Sequence, residues 1–142
     1  MNEYKIQYEG KAVSKSNNYE VRFEPRFWQL IKPIVDNFRR GGRKTYWIAP
    51  SDKIKRFETN LSTIVLAEVG ARYKEQFIGK QVFAKVTVYY SGREPDTDNL
   101  TKSIGDALEK GILKFNDKQI KTWLIDKEKA GKDLINIELT IL

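Results

Sequence analysis

The 142-residue chain contains no cysteine and no histidine. Without cysteine there is no disulfide framework, no thiolate nucleophile and no sulfur ligand for zinc. Without histidine, Ser-His and Cys-His catalysis are excluded, and any metal held by side chains must sit among oxygen donors. Such a donor set favours Mg²⁺, or Mn²⁺ in its place, over zinc or copper. No run approaches the roughly 18 to 20 apolar residues that span a bilayer, and Met1 to Gly10 lacks the apolar stretch of a secretory signal. The expectation is a cytosolic protein with no membrane partner. Internal repeats, low-complexity tracts and a glycine-rich phosphate loop are also missing.

What is present is a globular composition, 40% hydrophobic and 32% charged, in a chain of one ordinary domain's length. A single domain over residues 1–142 is expected. The formal net charge is +7 and the pI about 9.5. Such a surplus attracts polyanions, because Lys and Arg displace counterions from a phosphate backbone, so nucleic acid is the first partner to consider. A solubilising surface would account for the charge alone equally well. Clustering adds to the first reading: Arg39, Arg40, Arg43, Lys44, Lys53, Lys55 and Arg56 stand against a single acid, Asp52. Tyr46 and Trp47 lie within this stretch and suit either a nucleic-acid surface or the core of a strand.

Alternation, weak over Lys5 to Tyr8 and clear over Gln81 to Tyr90, predicts strands there, and Tyr19 to Phe23, Thr45 to Ile48, Gln119 to Ile125 and Leu134 to Leu142 also read as strands. Ser14 to Asn18 reads as a loop. Helical spacing predicts three helices. One runs from Pro25 toward Gly41-Gly42 and is kinked or shortened by Pro33; the longest is capped by Ser51 and reaches about Tyr73; another covers Asn99 to Lys110 and closes at Gly111. Lys127 to Lys132 reads as the connection of a hairpin around Gly131. The fold class is α/β, a mixed sheet packed against two or three helices.

The segment from Pro95 to Leu108 sets carboxylates at a strand-to-helix junction of a basic chain. Asp96 and Asp98, if extended, point to the same side and can converge on one cation. Asp98 also suits the N-cap of the helix, which accounts for one Asp but not both. Steps of four place Asp98, Lys102 and Asp106 on one helix face, opposite Leu100, Ile104 and Leu108. An exposed charge ladder has the same spacing; so does a site in which a lysine steadies a phosphate beside an acidic pair. An EF-hand is excluded, since Leu100 occupies an alternate ligand position and Ala107 the place of its terminal Glu.

Asp96-x-Asp98-Asn99-Leu100-x-Lys102, then Asp106-Ala107-Leu108, Gly111 and Asp117-x-Gln119-Ile120, resembles the signature of the RusA family of crossover junction endodeoxyribonucleases. The similarity is strong over Pro95 to Lys129 and thin upstream, where it rests on Ser16-Asn17-Asn18-Tyr19 and the long helix before Gln81. It implies a bacterial or phage-encoded homodimer that binds four-way and branched DNA and makes two symmetric nicks with Mg²⁺. In this resemblance Asp96, Asp98 and Asp117 match the metal-binding acids and Lys102 the essential lysine, while Asn99 and Asp106 match supporting positions. Asn116 departs from the pattern, which has an Asp there.

Two functions follow. The first is an endonuclease with Asp96, Asp98, Lys102 and Asp117 as its catalytic set. The second is a non-catalytic, structure-selective DNA-binding protein on the same scaffold, relying on the basic residues alone.

Overall fold

The computed structural model describes residues 3–13, 19–23, 46–70, 75–111 and 117–142. In chain order its elements are β1 (Glu3–Glu9), β2 (Tyr19–Phe23), β3 (Tyr46–Pro50), α1 (Asp52–Val69), β4 (Val82–Tyr90), α2 (Thr97–Gly111), a 3₁₀ turn at Asp117–Gln119, β5 (Ile120–Lys129) and β6 (Leu134–Ile141). The helix expected from Pro25 and the loop at Ser14 to Asn18 lie outside the described residues.

β4 organises the sheet. Its even positions, Val82, Ala84, Val86 and Val88, are buried, whereas Phe83, Lys85, Thr87 and Tyr89 are partly exposed. One face is therefore made for helices and the other for water. The strand order is β1-β6-β4-β5, with β5 parallel to β4 and β6 antiparallel to both its neighbours. β2 and β3 form a separate antiparallel pair. On the wetter face Lys85 stands opposite Glu138, and their charges meet at 3.9 Å.

The apolar stripes of α1 (Ile54, Phe57, Leu61, Val65, Val69) and α2 (Leu100, Ile104, Ala107, Leu108) form one core with β4 and with Ile6, Ile135, Ile137 and Leu139. Each large side chain fully buried there is worth about 1.5–3 kcal/mol. Glu58 is buried between the helices, where Lys110 of α2 donates to its Oε2. Among the described residues no helix is long and apolar enough to cross a membrane.

The mixed sheet and both described helices agree with the sequence pattern, and three local expectations are corrected. Ser51 caps α1 as anticipated, accepting from the Ile54 N–H, but the helix ends at Val69 rather than Tyr73. Gly70 takes φ +69° and donates its N–H to Leu66 O at 2.9 Å, a left-handed stop that glycine reaches at no steric cost. β5 runs on to Lys129, through residues expected in a turn, because the charged Glu128 and Lys129 sit on an edge strand open to solvent.

The expected β5–β6 hairpin does not exist. β4 lies between the two strands, and residues 130–133 cross over its end. There Ala130 N donates to Tyr90 O at 2.8 Å and Gly10 N to Asp133 O at 3.1 Å. Ser91 donates to Asp133 from its N–H at 2.9 Å and its hydroxyl at 3.0 Å.

The backbone N–H and then the hydroxyl of Ser91 hold the Asp133 carboxyl below its usual range, outweighing a small opposing desolvation. A carboxylate depressed in the fold stabilises it above the unfolded-state pKa, and that contribution fades as pH falls through the folded value. Asp133→Asn should therefore lose less melting temperature than wild type as pH drops below about 4. Thermal melts taken down through the acid range check this, and parallel curves for the two proteins would refute it.

Candidate active site at the start of helix α2

Pro95 carries no N–H, so the chain leaving β4 can begin a helix just beyond it. Asp96 occupies the N-cap: its Oδ1 accepts the Asp98 N–H at 3.0 Å, and its carbonyl accepts the Leu100 N–H at 3.0 Å. The cap anticipated at Asp98 thus belongs to Asp96. Asp98 lies inside the first turn, where the helix dipole favours its charge. The two carboxylates are not alternate positions of an extended stretch, because α2 starts two residues earlier than its apolar stripe indicated. Both Asp96 and Asp98 are exposed, and Asn99 is half-buried.

Two depressions flank this helix start. Asp98, Lys102 and Asp106 line one of about 320 Å³ together with Thr101, Gly105 and Trp123. The spacing of four therefore does what it predicted, setting the two acids and the lysine along a single groove. Trp123 closes it from β5, its ring resting on the core. The second depression, about 290 Å³, takes in Asp96 and Asn99 with Lys11, Lys53 and Arg93.

Of the described members of the basic cluster, Lys53, Lys55 and Arg56 are exposed on α1, and among these three Lys53 borders Asp96. Arg39, Arg40, Arg43 and Lys44 lie outside the described residues. Arg93 and Lys11 were not picked out from the sequence. The position of Arg93, three residues before Asp96, was available as a signal. Lys11 reaches the site only through the pairing of β1 with β6.

Asp117 is described by its backbone, in the 3₁₀ turn that leads into β5. Gln119 fixes that turn by donating from Nε2 to Phe77 O and, at 2.9 Å, to Lys80 O. Each bond of this kind contributes about 0.5–1.5 kcal/mol. Phe77 and Lys80 precede β4, so Asp117 sits where β4 begins. Asp96 follows the other end of β4, where Lys127 of β5 donates to Pro95 O at 3.1 Å.

At about 3.3 Å per strand residue, Ile120 and Lys127 stand roughly 23 Å apart. The 15-residue α2 covers a similar span, roughly 22 Å at 1.5 Å per residue. The fold brings Asp96, Asp98 and Lys102 together at one end of a single chain, sets Asp106 past the middle of α2 and leaves Asp117 at the other end. Among the described residues no group of three acids is placed to hold a metal ion. Asn116 lies outside the described residues.

The model of the endodeoxyribonuclease RusA family matches residues 31–140. The match takes in β3, both described helices, β4, β5, nearly all of β6, the groove of Asp98, Lys102 and Asp106, the Asp96 side of the second depression but not its Lys11 to Val13 wall, and the Gln119 clasp. No curated protein matches the chain. With more than three quarters of its residues inside that family model, the chain belongs to the RusA family of endodeoxyribonucleases.

Proposed function

We propose that the protein is a Mg²⁺-dependent endonuclease that resolves Holliday junctions and related branched DNA by paired, symmetric nicks, acting as a homodimer. The observation that carries this reading is the start of α2, where Asp96 caps the helix beside Asp98 and Lys102 follows one turn later on the groove shared with Asp98.

The donor set fits a hard divalent cation. Asp96 spends one oxygen on the Asp98 N–H, and its other oxygen has no partner among the described residues. Asp98 is exposed, and its carboxylate offers oxygen only. The positive end of α2 opposes a cation, so both acids are needed to overcome it. Asp96 and Asp98 would hold Mg²⁺, or Mn²⁺ in its place, with Asp117 of the partner subunit completing the set. Bound there, the metal supplies Lewis-acid stabilisation of the phosphate and lowers the pKa of an attacking water. Lys102 steadies the phosphate or the departing oxygen as negative charge builds on it. Asn99 and Asp106 support the acids from either groove.

The separation within one chain supports the dimer. A twofold axis that lays α2 against its copy would bring each Asp117 to the other protomer's Asp96 and Asp98 and create two sites together. Two coordinated nicks need two such sites. Lys11, Lys53 and Arg93 beside Asp96, and the exposed Lys55 and Arg56, give the surface its attraction for phosphate.

A structure-selective DNA-binding protein that does not cut is the competing reading, favoured because among the described residues no group of three acids is placed to hold a metal ion. A labelled four-way junction separates the two. The nuclease yields two symmetric nicks with Mg²⁺ and none with a chelator. Salt-sensitive binding without nicking at any Mg²⁺ or Mn²⁺ concentration selects the alternative.

A further inference from the structure

Lys127 lies near the end of β5, on the strand face that also carries Trp123 and Ile125. These three pair with Ala84, Val86 and Val88 and so point to the helix-covered side of the sheet. The neighbouring lysines of β5, Lys121 and Lys129, are exposed. The Lys127 side chain keeps only 22% of its surface. Its ammonium donates to Pro95 O at 3.1 Å and meets Glu94 Oε1 at 3.1 Å.

The segment between β4 and α2 has few other supports. Ser91 is held by Asp133, and Asp96 is held by the helix it caps. Between them Pro95 has no N–H to give. The Pro95 carbonyl belongs to the peptide unit that leads into Asp96, so a donor on that oxygen fixes the plane from which the Asp96 side chain departs. Glu94 is a third carboxylate, two residues from Asp96, and its pairing with Lys127 keeps it turned toward β5. An ordinary surface ion pair is worth about 0–1 kcal/mol and would not explain a half-buried ammonium spending a bond on a proline carbonyl.

We infer that Lys127 is a positioning residue of the nuclease site: by holding Pro95 O and the Glu94 carboxylate it sets how Asp96 is presented to the divalent cation. This rests on the nuclease reading above. Partners that orient metal ligands from behind typically change metal affinity or activity by about 10–100-fold when removed.

The test compares the wild-type protein with Lys127→Met, Lys127→Arg, Glu94→Gln and, as a matched loss of exposed charge, Lys132→Met. Mn²⁺ binding is measured by electron paramagnetic resonance, together with metal-dependent junction nicking, metal-free junction binding, melting temperature and amide exchange at Asp98. Lys127→Met should raise the Mn²⁺ concentration for half-saturation by about tenfold or more. Exchange of the Asp98 N–H, which is bonded to Asp96 Oδ1, should become severalfold faster, while metal-free junction binding stays within about twofold. Lys127→Arg should recover part of the metal affinity, Glu94→Gln should shift it the same way by a smaller factor, and Lys132→Met should leave it unchanged.

Wild-type Mn²⁺ affinity and Asp98 exchange retained in Lys127→Met would overturn the inference alone. A wild-type protein that neither binds Mn²⁺ nor nicks would overturn the nuclease reading and the inference with it. Should Lys127→Met fail to fold, Lys127→Arg and Glu94→Gln decide: unchanged metal affinity in both counts against the role, and a graded loss supports it.

Discussion

Asp98→Asn should abolish cleavage of a four-way junction while junction binding survives or tightens. The substitution is close to isosteric and keeps an oxygen, so α2 and its cap at Asp96 remain intact. What disappears is one negative charge in the groove shared with Lys102. If Asp98 grips the cation, the loss should exceed the roughly 10–100-fold that removing a supporting partner costs. Removing the same charge lessens repulsion of phosphate, so binding in the absence of metal should not weaken. Single-turnover nicking and gel retardation on the same labelled junction measure both quantities. Retained cleavage by pure Asp98→Asn protein would remove Asp98 from the catalytic set, and parallel loss of binding would make it a DNA contact instead.

The second large effect concerns partnership between copies. Asp96 and Asp98 stand at one end of α2 and Asp117 at the other, so a working site drawn from two protomers predicts complementation. Asp98→Asn and Asp117→Asn homodimers should each be inactive. In a mixed dimer one site carries both substitutions and the other carries neither. Random exchange of equal amounts makes about half of the dimers mixed. Such dimers should nick one strand without resolving the junction, turning a supercoiled cruciform plasmid into open circles and not into linear molecules. A site built within one chain predicts no activity in the mixture, because every protomer then carries a damaged site. A dead mixture whose subunits demonstrably exchange would thus exclude the shared arrangement.

How much of this could be read from the sequence depended on how far apart the contributing residues lie along the chain. The stripes of α1 and α2 and the alternation of β4 were plain because each records one element facing one core. The Asp98-Lys102-Asp106 face followed from helical spacing alone and does line a groove. The helix start was misplaced by two residues because Thr97 and Asp98 contribute nothing to the apolar stripe from which it was read. The β5–β6 hairpin was the default for neighbouring strands joined by a short connection. Nothing local reveals that β4, with two apolar-flanked edges, takes the place between them. Gln119 and Lys127 stood in the sequence as a motif residue and a supposed loop residue. Their roles rest on bonds to Phe77 and Pro95, separations of 42 and 32 residues that no periodicity encodes. Asp117 was singled out by resemblance, and the distance from its partners emerges only once the parallel register of β4 and β5 is known.

The register of β1 against β6 bears on when the enzyme matures. β1 precedes every other described element in the chain, yet its whole length from Glu3 to Glu9 is matched by Thr140 to Leu134 of β6, which follows them all. Lys11 and Val13, just beyond β1, form part of the wall beside Asp96. Until β6 is synthesised, β1 has no strand to lie against and that wall is not assembled. A nascent chain therefore carries Asp96 and Asp98 before the wall beside Asp96 is complete.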